Sequence, residues 1–270
     1  MVILSSYSRG ASYGLLGPQM AATIIQDTTP YECIVVAVTR ENNLAKLSKA
    51  LYEYFRPQRP IIGFSLLGGG TNLISLAESM KRSEAITLLA GPQADVDFMG
   101  EPNHIHHPHR FKGYRNGFSF ALHGPAEQIR PYLVDKARYK EMGLPGFVFQ
   151  KSDGRIESIP MQDWNQRFLN RVDWNTLYQL DDSSLKSIVP SSAQVLQQIG
   201  CPYAKRTQAV DIEYPTVLAA PGSRTVRIDS SGCSFCDVAV DKGFHGALDL
   251  DTVLSQIKIL PESSGGRKIP

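Results

Sequence analysis

No stretch of this 270-residue sequence approaches the roughly 20 consecutive apolar residues that span a bilayer, so a membrane partner is not expected. Neither sign of charge dominates: 28 Lys and Arg stand against 26 Asp and Glu, a formal net charge of +2. That balance gives no reason to expect nucleic acid or an anionic surface as partner. The opening Met1-Val-Ile-Leu-Ser-Ser6 lacks the basic region and long apolar stretch of a secretory signal, and a cytoplasmic location follows as the default. No internal repeat, Ser–His–Asp ordering or paired-carboxylate spacing stands out. Cysteine is scarce, with four residues at positions 33, 201, 233 and 236. Hydrophobic residues, at 42%, suffice for a full-sized core in one or two domains.

The first half alternates short apolar runs with amphipathic stretches, the pattern of βα units around a mostly parallel sheet. Val2–Leu4, Cys33–Thr39, Ile61–Ser65, Ala85–Ala90 and Gly117–Leu122 read as strands. Between them, Gly17–Gln26 carries apolar residues at helical spacing. Asn43 can cap a helix bearing Leu44, Leu47, Ala50, Leu51 and Tyr54 on one face, and Thr71 or Asn72 caps another that runs to about Met80. A helix from Pro125 to about Lys136 completes a domain over residues 1–138. Residues 139–222 read as an ordered linker in which Gly146–Phe149 and Arg155–Ile159 flank the turn Ser152-Asp-Gly154 as a hairpin. In residues 223–270, Arg224–Ile228 is a strand, Asp229–Gly246 a loop, and Leu248 to about Leu260 a helix with Leu250, Val253, Leu254 and Ile257 on one side.

Cys233 and Cys236 form a C-x-x-C directly after a strand, where a turn can aim two thiolates at one metal centre. Soft thiolates suit iron–sulfur clusters and zinc, and the pair alone does not separate these from two packed thiols. Gly68-Gly-Gly70 matches neither a P-loop nor a dinucleotide fingerprint. His104, His106, His107 and His109, with Glu101 nearby, crowd one loop, which reads as an exposed polar segment or an adventitious metal site.

The run Gly232-Cys-Ser-Phe-Cys-Asp237 resembles the cluster loop of radical S-adenosylmethionine enzymes, with an aromatic residue before the last cysteine. That resemblance implies Cys233 and Cys236 as ligands of a [4Fe-4S] cluster whose open iron takes S-adenosylmethionine. The position of the family's first cysteine is Asp229 here, and Cys201 is the nearest other thiol. Ile61–Leu67 and Leu88–Ala94 look like the third and fourth strand ends of the cobalamin-binding domains attached to such enzymes: Ser65-Leu-Leu67 matches S-x-L, and Ala90-Gly91 stands at the G-G position. The implied corrin-tail site is Ser65, Leu67 and Gly91. In the register of the D-x-H-x-x-G motif the chain has Ser5, Tyr7 and Gly10, so no histidine would ligate cobalt. A radical-enzyme barrel needs about 200 residues after its cluster loop, which implies a truncated enzyme of methyl transfer or radical rearrangement, or a separate chain supplying the rest of the barrel. The expected architecture is an open Rossmann-like sheet, a linker, and the first strand and helix of a βα barrel. The alternative is a non-catalytic cofactor- or partner-binding α/β module whose C-x-x-C holds zinc or is structural.

Overall fold

A strand that is apolar along its whole length needs cover on both faces, and Ile34–Val38 is such a strand. The computed structural model describes residues 1–66, 71–91, 117–122, 124–134, 144–150, 156–159, 163, 165–169, 171–205, 207–213, 225–231 and 244–259. In it, strand β1 (Val2–Ser6) leads through helix α1 (Leu16–Thr28) to β2 (Ile34–Val38), every residue of which is buried. Helix α2 (Leu44–Phe55) then leads to β3 (Ile61–Ser65), α3 (Thr71–Arg82) to β4 (Ile86–Ala90), and β5 (Phe120–Leu122) follows. These five strands are parallel, with β1 paired to β2 on one side and to β3 on the other. The resulting order 2-1-3-4-5 is that of an open, doubly wound sheet.

Period-two alternation divides the side chains between two cores. Val2, Leu4, Val36, Ile62 and Phe64 face α2 and α3, which contribute Leu47, Leu51, Leu73, Leu76 and Met80. Met1, Ile3, Val35, Ala37 and Ile61 face the other way, where Ala22 and Ile25 of α1 pack together with Tyr132 and Leu133 of the short helix α4 (Arg130–Val134). Asn43 caps α2 as its sequence position predicts, accepting from the Ala45 and Lys46 amides at 3.0 and 3.1 Å.

Both flanks of the parallel sheet end in antiparallel hairpins. β6 (Phe147–Gln150) pairs with β5, and β7 (Ile156–Ser158) with β6, at the predicted hairpin. On the far side, β8 (Leu177–Asp181) pairs parallel to β2 and turns into β9 (Ser184–Ser187) through Asp182, which sits at φ 51°. Among the described residues the sheet thus has nine strands.

Three local expectations are corrected. The helix expected from Pro125 begins as a 3₁₀ turn, Ala126–Ile129, and becomes α-helical only over Arg130–Val134. Residues 177–187, which show little periodicity, are sheet strands rather than connecting chain. On helix α5 (Leu250–Lys258) the expected apolar side is not the buried one: Leu250 is 70% exposed, while Gln256 is buried. Gln256 Nε2 donates to Leu196 O at 2.9 Å and its Oε1 accepts from Leu196 N at 2.8 Å, a two-point match to a backbone amide that outweighs leucine burial.

Residues Gln197–Leu248 form a second compact unit. Within it β10 (Gln198–Gly200) and, later, β11 (Thr207–Glu213) and β12 (Thr225–Ser231) precede β13 (Phe244–Ala247); β10 pairs with β13 and β11 with β12, both antiparallel. The strand expected to open a barrel is β12, and its partner among the described residues is the antiparallel β11 rather than a parallel neighbour. No barrel closes among the described residues, and no helix there is long and apolar enough to cross a membrane.

Candidate functional site at the carboxyl edge of the sheet

Open α/β sheets bind ligands outside the carboxyl ends of their strands, where the strand order reverses. Here the chain runs from β1 to β2 on one side and then crosses to β3 on the other, so the reversal lies between β1 and β3. Ser5 pairs in register with Ala37 on one side and with Ser65 on the other, and Ser65 pairs with Ala90. Strand alternation puts all four on the α1 and α4 face, in the series Ile3–Ser5, Ile61–Gly63–Ser65 and Leu88–Ala90. Four adjacent strands thus end in a row of alanine, serine, serine and alanine, about 14 Å long at ordinary strand spacing.

Two hydroxyls in this row have no hydrogen-bond partner among the described residues. Ser5 is only 8% exposed, and Ser65 is half-buried. Gly91 closes the row. Its φ of 79° suits glycine, and a β-carbon at this position would lie 3.0 Å from Ser65 Oγ and 3.4 Å from Leu66 O. Leu66 N donates to Ala90 O at 3.2 Å and holds the ends of β3 and β4 together.

The loop from β1 to α1 borders the same edge. Tyr7 N donates to Val38 O at 2.8 Å, and the Tyr7 hydroxyl donates to Tyr13 O at 2.7 Å, with the two rings 4.9 Å apart. Burial, and secondarily the neighbouring Tyr13, push the Tyr7 phenol up to about 12, so it stays a neutral donor. Ser191 N donates to Ser12 O at 2.6 Å and Gly14 N to Ser192 O at 2.7 Å, tying the loop to the chain beyond β9. Gln19, fully buried in α1, accepts from Leu15 N at 2.8 Å and donates to Trp174 O at 3.1 Å. The loop is therefore fixed at both ends.

Of the residues singled out from sequence, Ser65 and Gly91 come together at this edge. Leu67, Gly68–Gly70, Glu101, the histidines from His104 to His109, and both Cys233 and Cys236 lie outside the described residues. Asp229 is in β12 opposite Ala209. Cys201, a free, half-buried thiol, directly follows β10 and belongs to the same compact unit as Asp229. Among the described residues no group of three His, Cys, Asp or Glu side chains could hold a metal ion. Sequence reasoning placed no ligand role on Ser5. The signal was present in part, because Ser5 is the small residue ending an apolar alternation, but its register against Ser65 is a property of the folded sheet.

No family model matches the chain, and no curated protein matches it. Among solved structures, that of the cobalamin-dependent S-adenosylmethionine radical enzyme OxsB with aqua-cobalamin and S-adenosylmethionine bound is similar in fold. The TM-score is 0.58 at 11% identity, covering 96% of this chain and 31% of that one. The apo, SeMet-labelled form of the same enzyme matches with TM-score 0.48 at 13% identity, over 76% of this chain and 27% of that one. The chain spans under a third of the length of these structures. The class the fold defines is a mixed, mostly parallel α/β sheet. Its particular likeness is a remote one, to a cobalamin-dependent radical enzyme.

Proposed function

We propose that this chain is the cofactor-binding part of a cobalamin-dependent radical S-adenosylmethionine enzyme, acting in methyl transfer or a radical rearrangement. The observation that carries the reading is the fold likeness over 96% of the chain, joined to a C-x-x-C with the flanking residues of a cluster loop. The carboxyl edge fits the tail of cobalamin in chemistry: small side chains on four strands, two hydroxyls with no partner among the described residues, and a glycine whose β-carbon would crowd Ser65. Ser65, Leu67 and Gly91 would hold that tail. Cys233 and Cys236 would ligate a [4Fe-4S] cluster, which supplies the electron for reductive cleavage of S-adenosylmethionine when all three groups are bound. The third cluster ligand would be Asp229 or the Cys201 thiol of the same unit. The protein's own contribution is to fix the corrin side of the site by a preformed edge, and to leave the phenol of Tyr7 neutral beside it.

Anaerobic reconstitution with iron and sulfide tests the cluster, and titration with hydroxocobalamin tests the corrin site. The expected results are a broad visible absorbance that is lost in Cys233→Ser and Cys236→Ser, and a corrin spectrum retained through desalting. A colourless protein with one zinc per chain, and no retention of hydroxocobalamin, would replace this reading with that of a non-catalytic module whose cysteine pair holds zinc.

A further inference from the structure

The chain that leaves β9 carries neither helix nor strand over residues 191–196, yet it is tied at both ends. At its start, Ser191 N donates to Ser12 O at 2.6 Å and Gly14 N to Ser192 O at 2.7 Å. The Ser12 and Ser191 hydroxyls lie 2.6 Å apart, and Tyr13 and Ser192 form a parallel bridge. At its end, Gln256 of α5 takes both polar groups of Leu196, accepting from its N–H at 2.8 Å and donating to its carbonyl at 2.9 Å. Among the described residues, the hydrogen bonds of 191–196 go to these two places and to no other element. Ala193, 1% exposed, seats the middle of this strap. From Ser192 to Leu196 the chain can span at most about 14 Å, so little slack separates the two sets of ties. Gln256 is 3% exposed on a helix that turns Leu250 and Leu254 outward. An amide side chain is costly to bury unless both its groups are met, and Leu196 meets both. The burial of Gln256 therefore answers to the strap. The loop at the strap's other end borders the carboxyl edge and seats Gly14 against the ring of Trp174.

We infer that Gln256 is a positioning residue: through the strap 191–196, helix α5 holds the loop between β1 and α1 in place at the border of the carboxyl edge. In sequence, α5 follows the segment that carries Cys233 and Cys236. The border of one proposed cofactor site is thus set by the element that succeeds the other. A free energy that links two places acts in both directions, so loosening the loop also loosens Leu196 from α5. The coupling is a property of the chain alone and is the same whichever ligand the edge takes.

Native-state hydrogen exchange of the full-length chain, resolved by amide, tests this. The reporters are Gly14 and Ser191 at the loop, Leu196 at α5, and Ile62 in the middle of the parallel sheet, which opens only with the whole domain. Gln256→Leu removes both bonds to Leu196; Gln256→Glu keeps the acceptor and loses the donor. In both variants the Gly14 and Ser191 amides are expected to exchange about tenfold faster, the worth of one net hydrogen bond, with Ile62 unchanged. Leu254→Ala, on the outward side of the same helix, is expected to leave Gly14 and Ser191 as in wild type. Ser191→Ala, which removes the hydroxyl contacts to Ser12, is expected to speed exchange at Leu196 severalfold. A merely local role for Gln256 would speed Leu196 and α5 and leave Gly14 and Ser191 untouched, and that result overturns the inference. Acceleration at Ile62 by the same factor in both Gln256 variants also overturns it, as does an equal effect of Leu254→Ala or an unaltered Leu196 amide in Ser191→Ala.

Discussion

Replacing Gly14 by alanine should destabilise the protein through a single ring. A β-carbon on Gly14 would fall 2.5 Å from Cε3 of Trp174, closer still to its Cζ3, and 3.2 Å from its Cη2. The ring is 5% exposed and has little room to recoil. Its backbone is anchored as well: Gln19 Nε2 donates to Trp174 O, Asp173 N donates to Thr23 Oγ1 at 2.8 Å, and the Asp173 side chain accepts from Asn175 N at 2.9 Å. Gly14 cannot back away without losing its bond to Ser192 O. Overpacking of this kind costs about 1–3 kcal/mol, and the upper half of that range applies because both sides are held. Urea unfolding measures the loss. In a Trp164→Phe background, Trp174 is the only tryptophan, so a red shift of native emission would report its displacement directly. Trp174→Leu removes the offending atoms, and the double variant should show a coupling of at least about 1 kcal/mol. A Gly14→Ala protein within about 0.5 kcal/mol of wild type, the range of an ordinary surface substitution, with unshifted emission, would refute the argument.

Gln19→Leu keeps the volume but leaves Leu15 N and Trp174 O without this partner, and should cost about 2–4 kcal/mol in urea unfolding. Cys33 is fully buried, and burial chiefly pushes its thiol from the ordinary 9.0 up to about 12. The folded state therefore holds that proton more tightly than the unfolded one, so the contribution of Cys33 is whole below pH 9 and falls as pH rises from 9 toward 12. Cys33→Ala should show a shallower loss of stability across that interval, and an identical slope would contradict the assignment. With iodoacetamide at pH 8, the half-buried Cys201 should be alkylated in the native protein while Cys33 reacts only after denaturation; peptide mass mapping distinguishes the two.

The parallel core was legible because its signals are local. Ile34–Val38 is apolar throughout, Asn43 stands where an α2 cap belongs, and Ile61–Ser65 is bounded as its apolar run is. Ser65 and Gly91 were legible as strand-end residues for the same reason. What escaped depends on contacts remote in sequence. The strand β8 reads as a polar, weakly patterned segment, Leu-Tyr-Gln-Leu-Asp, because only Leu177 is fully buried, and its turn uses Asp182 rather than the Asn-Gly pair that marks a hairpin. Helix α5 shows a regular apolar side, yet Gln256 faces inward because Leu196, 60 residues away, presents both its amide and its carbonyl.

The pairing of β8 with β2 also sets a timetable. Until Leu177 has been synthesised, the outer edge of β2 is an unpaired row of amides and carbonyls on Ile34-Val-Val-Ala-Val38, an uncharged β-branched segment of the kind that pairs with other chains. At about 5–20 residues per second, that edge stays bare for roughly 7–28 s on the ribosome. The core of βα units can assemble early, but the nascent chain carries an adhesive flank until β8 arrives. Expression yield should therefore respond more to chaperone supply and translation speed between residues 38 and 177 than to changes in the finished core.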